Sequence, residues 1–307
     1  MPFRVIRRPR TPAPHAQVPE LSPAALLALV KELAVPRPIG DIPANQRAAQ
    51  IVRGHLEALG RRVVEHGTYK NLVALPPPTL QTLPPPRERA LTIVSAHFDS
   101  VEDTPGADDN ASAVAVMIGV ARALRRLDRD ADVGYIAWNA EEMGIVGSEE
   151  WAREWAAAAP SLRPAIREVH VLEMLGFCSH AKGSQQTPPG LLSKLGLPTT
   201  ADFIGVLGNH RARKIVARVV DAAADDSAVD VVALQTYFGV ERLLPSLDLS
   251  DHVRLWAVGI PAVLWTDTAF YRNPHYHQGS DTPATLDPAF LSGVAHLIFD
   301  VLVSRAT

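Results

Sequence analysis

Five short clusters along the chain bring imidazoles and carboxylates together: His97-Phe98-Asp99, Ala107-Asp108-Asp109-Asn110, Ala140-Glu141-Glu142, Leu172-Glu173-Met174 and Pro274-His275-Tyr276-His277, the last followed by Asp281. An imidazole nitrogen binds a divalent metal. A carboxylate two residues along an extended strand, as Asp99 is from His97, points to the same side and can hold the ring through its other N–H. Asp108 and Asp109 stand at the start of a predicted helix, where one carboxylate suffices as a cap; two adjacent like charges repel unless a cation offsets them. Glu141 and Glu142 repeat the pair, and one can bind metal while its neighbour takes a proton from water. Glu173 lies within an apolar strand, so its carboxylate needs a cation or an arginine. His275 and His277 lie among Asn, Pro, Gly and Ser, the composition of a surface turn.

Taken singly, a core histidine, a helix cap, a charged helix start, a buried ion pair and a polar turn explain these clusters. Taken together they offer nitrogen and oxygen ligands with no thiolate. That set suits zinc, and also manganese or cobalt. Two metals bridged by one carboxylate would use five such ligands.

The elements that carry the clusters follow from hydrophobic patterning. Short strands are predicted at 62–66, 71–75, 90–96, 133–139, 169–175, 202–208, 229–234 and 261–266. Helices are predicted at 21–34, with Ser22 as cap and Pro23 in the first turn, and at 45–60, stopped by Gly60. Further helices are expected at 111–127, 147–158, 211–224 and 288–304. Strands alternating with helices imply a three-layer α/β/α sandwich around a mixed, mostly parallel sheet. In such sheets, sites form beyond the carboxyl ends of the strands. His97, Glu142, Glu173 and His277 each stand at or just beyond a predicted strand.

The proline-rich stretch 76–89 reads as a surface loop between strands. Residues 1–20 read as an extended arm, because prolines there block helix, and 21–307 read as a single domain. With 307 residues and 47% hydrophobic content the chain builds an ordinary globular core. A net charge of -3 gives no electrostatic footprint for nucleic acid or an anionic membrane. The single cysteine, Cys178, allows no intrachain disulfide. The basic, proline-rich start lacks the apolar core of a signal peptide, and the longest apolar run, 111–124, is too short to span a bilayer. A cytoplasmic protein is the expectation.

The ordered series HFDS, PGADDNAS, AEEMGIVGS, LEM, SDH and YHQGSDT resembles the family-28 metallopeptidases, which include bacterial leucyl aminopeptidases and glutaminyl cyclases. The resemblance runs from about Asn45 to the C-terminus. It implies an aminopeptidase with two zinc ions, replaceable by cobalt or manganese, acting on a peptide or aminoacyl substrate. His97 and Glu173 would bind one ion, Glu142 and His277 the other, and Asp109 would bridge them. Asp99 would orient His97, and Glu141 would be the general base toward the attacking water. The peptide bond after Asp109 would be cis, and Asp251 and His252 would lie behind the ligands. Many relatives carry Asp where Glu173 stands. The spacing to Asp281-Thr282 favours His277 over His275. On the same resemblance a glutaminyl cyclase-like acyltransferase with one zinc, or a metal-free homologue acting as a binding module, is the alternative. Trp256, Trp265, Phe270 and Tyr271 are candidates for an apolar pocket, though aromatics in such positions more often pack, and they are not assigned to the site.

Overall fold

A computed structural model of the chain describes residues 3–10, 18–76, 90–188, 196–225, 227–244 and 247–304. The proline-rich loop lies almost wholly outside them. The first helix, α1 (Pro23–Leu33), starts where the Ser22 side chain accepts the Ala25 N–H, and it buries Leu26, Leu29, Val30 and Leu33 along one stripe. The next, α2 (Ile42–Glu57), begins a few residues earlier than its apolar pattern predicts, because Asp41 caps it and Pro43 fits its first turn. Helix α3 (Ala113–Arg126) is buried on nearly every side, packed between the sheet and α1. Helices α4 (Val146–Ala157), α5 (Arg213–Asp225), α6 (His252–Ala257) and α7 (Pro288–Ser304) complete the layers. At six residues, α6 is too short for helical periodicity to reveal it in the sequence.

The strands are β1 (Phe3–Arg8), β2 (Val64–His66), β3 (Asn71–Ala74), β4 (Leu91–His97), β5 (Val133–Trp138), β6 (Ile166–Glu173), β7 (Phe203–Gly208), β8 (Asp230–Thr236) and β9 (Ala262–Thr266). Among the described residues they form one nine-stranded sheet in the order β1-β8-β7-β9-β6-β4-β5-β3-β2. The central strands β9, β6, β4 and β5 are all parallel, whereas β7 meets β9, and β3 meets β5, antiparallel. The sheet is therefore mixed, with a parallel centre. Part of the N-terminal stretch is itself a strand: β1 pairs antiparallel with β8 along the sheet edge.

Side chains alternate across the sheet as its pleat demands. Along β5, Tyr135 and Ala137 enter the core under α3 and α7, while Ile136 and Trp138 enter the core under α4 and α6. Because β4, β5, β6 and β9 are parallel, their carboxyl ends share one edge, and His97, Glu141, Glu142 and Glu173 gather there. Among the described residues no helix is long and apolar enough to cross a membrane.

Candidate metal centre

The centre is built from strand ends held in place by hydrogen bonds across loops. His97 is the last residue of β4, and its Nδ1 lies 3.4 Å from Asp99 Oδ1. Asp99 also joins β4 to β5: its Oδ1 accepts the Glu141 N–H and its Oδ2 the Glu142 N–H, both at 3.2 Å. One buried carboxylate thus holds the backbone that carries both glutamates and lies beside the His97 ring, whose Nδ1 makes no hydrogen bond. Ala140, Met174 and His277 adopt φ values of 60°, 48° and 57°. Left-handed backbone at such non-glycine positions is uncommon and concentrates at functional sites.

The turn into α3 is irregular over Ala107–Ser112, and the Asp109–Asn110 peptide is cis. Gly106 has φ of 61°, and a Cβ there would run into the Asp109 carbonyl, so only glycine fits. Asp281 fixes the turn from the far end of the chain: its carboxylate accepts the Asp108 N–H at 2.9 Å and the Asp109 N–H at 3.1 Å. The Asn110 side chain donates to the Leu172 carbonyl at 3.1 Å and accepts the Met174 N–H at 2.9 Å. It thereby clamps the residues on either side of Glu173. Asp108 faces away from the centre and accepts from Gly176 N–H and Asn273 Nδ2 at 2.8 and 2.7 Å.

These supports bring His97, Asp109, Glu142, Glu173 and His277 together around the two oxygens of Asp109. His97 Nε2 lies 3.2 Å from Asp109 Oδ1 and is hydrogen-bonded to Glu173 Oε1 at 3.2 Å. His277 Nε2 lies 3.3 Å from Asp109 Oδ2 and 3.2 Å from Glu142 Oε2, yet makes no hydrogen bond to either. Donor atoms sharing a tetrahedral zinc with bonds of about 2.0 Å sit roughly 3.3 Å apart. The spacing suits metal ligation, and His97, Asp109 and Glu142 each offer a ligand atom within 4.8 Å of the others. His275 does not join them; its Nδ1 pairs with Ser280 Oγ at 2.9 Å and its ring meets Phe177 edge-on. Glu173 spans the extra methylene by reaching His97 with one oxygen while the other accepts Ser250 Oγ–H at 2.8 Å.

The charges in the cleft point the same way. Burial, with Asp109 beside it, pushes the Glu142 carboxyl up to about 7. Burial also pushes Glu141 well above the carboxylate range, with Glu173, Asp251 and Glu142 adding to the rise. Although burial opposes it, His277 is raised to about 10 by Asp109 and Glu142. Carboxylates crowded this closely call for positive charge between them, from protonated imidazoles or from a metal cation.

Sequence reasoning left three supports unassigned. Ser250 opens the SDH motif, in which only Asp251 and His252 are given a place. Asn110 and Asp281 sit inside recognised motifs, but their cross-chain partners are visible only in the fold. Asp251 is buried, and burial, with Glu173 and Asp99, pushes it up to about 7. His252 donates its Nε2–H to the Leu247 carbonyl and packs on Trp256. A cavity opens over Glu141, walled by Met174, Phe203, Leu247, Leu264, Phe270 and Tyr271. Trp256 and Trp265 instead pack in the two cores.

Comparison with known proteins agrees with this geometry. Residues 79–302 match the model for peptidase family M28. The protein YfbL of Escherichia coli is 34% identical over 266 residues, covering 82% of this chain and 78% of that one. A probable lipoprotein aminopeptidase of Mycobacterium tuberculosis, LpqL, is 27% identical over 220 residues, 68% of this chain but only 42% of LpqL. In fold, the LapA aminopeptidase of Legionella pneumophila superposes with a TM-score of 0.66 at 18% identity, over 94% of this chain and 73% of that one. A glutaminyl cyclase of Fimbriiglobus ruber gives 0.63 at 19% identity, over 96% and 97%. An aligned stretch that takes in every cluster of the centre, on a sheet of the same architecture, makes the chain a member of peptidase family M28, and so of the hydrolases.

Proposed function

We propose that this protein is a zinc-dependent aminopeptidase with a pair of co-catalytic ions, its catalytic domain running over residues 21–307. His97, Asp109 and Glu173 would hold one ion; Asp109, Glu142 and His277 would hold the other. The observation that carries this reading is the placement of the two Asp109 oxygens, each 3.2–3.3 Å from a different imidazole. When bound, the ions supply Lewis acidity, which makes a water acidic and polarises a peptide carbonyl.

The chain's own residues do the rest. Glu141, which lines the cavity beside Glu142, takes a proton from the attacking water on its carboxylate and returns it to the leaving amine. Asp99 holds the Glu141 backbone beside the His97 ring. The carboxylate-rich floor meets a free α-ammonium group, which limits cleavage to the first residue of a peptide. The apolar cavity walls suit an aliphatic or aromatic side chain on that residue.

A panel of aminoacyl-4-nitroanilides, assayed with and without chelator alongside metal analysis, tests the reading. Hydrolysis that chelator abolishes and zinc restores supports it. A second reading, glutaminyl cyclase, is favoured by the match in chain length with that fold neighbour. One zinc at the centre, pyroglutamate formed from an N-terminal glutamine and no anilide hydrolysis would establish it instead.

A further inference from the structure

Beyond this centre, we propose that the chain holds a second, thiolate-containing metal site formed by Cys178, His180 and Asp287, with Asp202 behind His180. The site lies on the loop that follows β6. Ser179 makes an isolated antiparallel bridge with Ala201, its N–H donating to the Ala201 carbonyl at 2.9 Å. In an antiparallel pair, side chains alternate between faces, and residues opposite one another share a face. Cys178 and His180 flank the bridging residue and so project to the same side. Asp202, one past Ala201, stands opposite Cys178 on that side. Its Oδ2 lies 3.3 Å from His180 Nδ1.

The third donor comes from another element. Asp287 caps α7, its Oδ1 accepting the N–H groups of Ala289 and Phe290 at 2.9 Å, which commits one carboxylate oxygen and leaves the other. Its own N–H donates to the Gly176 carbonyl at 2.8 Å, fixing the start of α7 against the loop. The result is a sulfur, an imidazole nitrogen and a carboxylate oxygen lying within 4.8 Å of one another. Ligands of one tetrahedral zinc stand roughly 3.3–3.8 Å apart, so a small side-chain adjustment closes the set.

Each of the three also serves its own surroundings. Cys178 packs against the core, Asp287 caps a helix and His180 pairs with Asp202. None of these local roles requires the three to converge. A thiol, an imidazole and a carboxylate in convergence select zinc or another thiophilic divalent ion over magnesium or calcium. Asp202 against the imidazole is the arrangement by which a carboxylate orients a ligating histidine. His180 is exposed and Cys178 and Asp287 are half-buried, so an ion can enter from solvent. Bound there, it ties the loop that follows Glu173 to the start of α7.

The test exploits a chemical difference between the two centres. Cys178 is the sole cysteine of the chain, and the centre at Asp109 contains no thiol. Cobalt added to metal-stripped protein should produce a thiolate-to-cobalt charge-transfer band that Cys178→Ser abolishes. His180→Ala, and Asp287→Asn, which keeps the helix cap, should each weaken the cobalt affinity read from that band at least about tenfold. Zinc should slow the reaction of Cys178 with a thiol reagent in the unmutated protein, a measurement that needs no variant. Cys178→Ser should keep its peptidase activity and lose one equivalent of bound zinc. A missing charge-transfer band, or a band indifferent to both His180→Ala and Asp287→Asn, overturns the proposal. Neither result bears on the centre at Asp109, which is silent in this band.

Discussion

Replacing Asp281 with alanine should damage a centre that Asp281 does not enter. Its carboxylate is buried and accepts the backbone N–H groups of Asp108 and Asp109. Those groups are themselves buried, in the irregular turn that presents the Asp109 side chain. Alanine would leave both donors without partners where water cannot replace the lost acceptor. At about 1–3 kcal/mol for each orphaned buried donor, the cost is about 2–6 kcal/mol of stability. That is a large share of a typical total of about 5–15 kcal/mol, so the variant should fold but melt early. Asp109 would also lose its fixed direction, and zinc affinity should fall about 10–100-fold, as when other groups that orient ligands are removed. Urea denaturation of the metal-stripped protein reads the first effect, and competition with a chromogenic chelator reads the second. Asp281→Asn is the control: its amide oxygen can still accept, but its NH2 faces a second donor, so an intermediate loss is expected. If Asp281→Ala unfolds within about 0.5 kcal/mol of the parent, the scatter of ordinary surface substitutions, and binds zinc as tightly, the reasoning fails.

Other expectations follow from the same contacts. Glu141→Gln should reduce anilide hydrolysis by about 10²–10⁴-fold with zinc content unchanged, and near-normal turnover would remove its role in proton transfer. Asn110→Ala should cost about 2–6 kcal/mol, because Leu172 O and Met174 N–H lose their buried partner beside Glu173, and it should lower zinc affinity in parallel; chemical denaturation and chelator competition check both. His252 sits neutral in the core, where burial lowers its pKa to about 4 against an ordinary 6.5. Its contribution is complete above pH 6.5 and is lost as pH falls toward 4, about 3 kcal/mol in all. His252→Gln should flatten that part of the stability-against-pH curve, and an unchanged slope would count against it. Phe270→Asp, at the cavity wall, should depress kcat/KM for leucyl and phenylalanyl anilides more than for alanyl anilide; an equal loss across the series would argue that the wall does not meet the side chain.

The catalytic-type residues were the most legible part of this chain, and their supports the least. His97, Glu142 and Glu173 stand at or just beyond strand ends where an isolated charge is costly, and Asp109 stands beside a second carboxylate at a helix start, so residue type and position already point to chemistry. His277 could be preferred to His275 only through spacing to Asp281, and the fold shows why they differ: His275 turns to Ser280 on the surface while His277 faces Asp109. Hydrophobic runs marked the central strands, because buried parallel strands read as continuous apolar stretches. Strand direction at the flanks was not legible, since a run of apolar residues carries no sign of which neighbour it will pair with. Nor was β1, whose Phe3–Arg8 segment is held by register with β8 and not by its own pattern. Asp281 and Asn110 act on residues 173 and 62 positions away, distances over which local pattern holds no information.

The central claim is that Asp109 stands between two cations. Anomalous-difference density collected at the zinc edge, from crystals grown with zinc, tests it most directly. The account predicts two peaks on opposite sides of the Asp109 carboxylate, about 3.5–4 Å apart, one against His97 and Glu173 and the other against Glu142 and His277. A single peak there, or none, with the imidazoles hydrogen-bonded to the carboxylates instead, would contradict it.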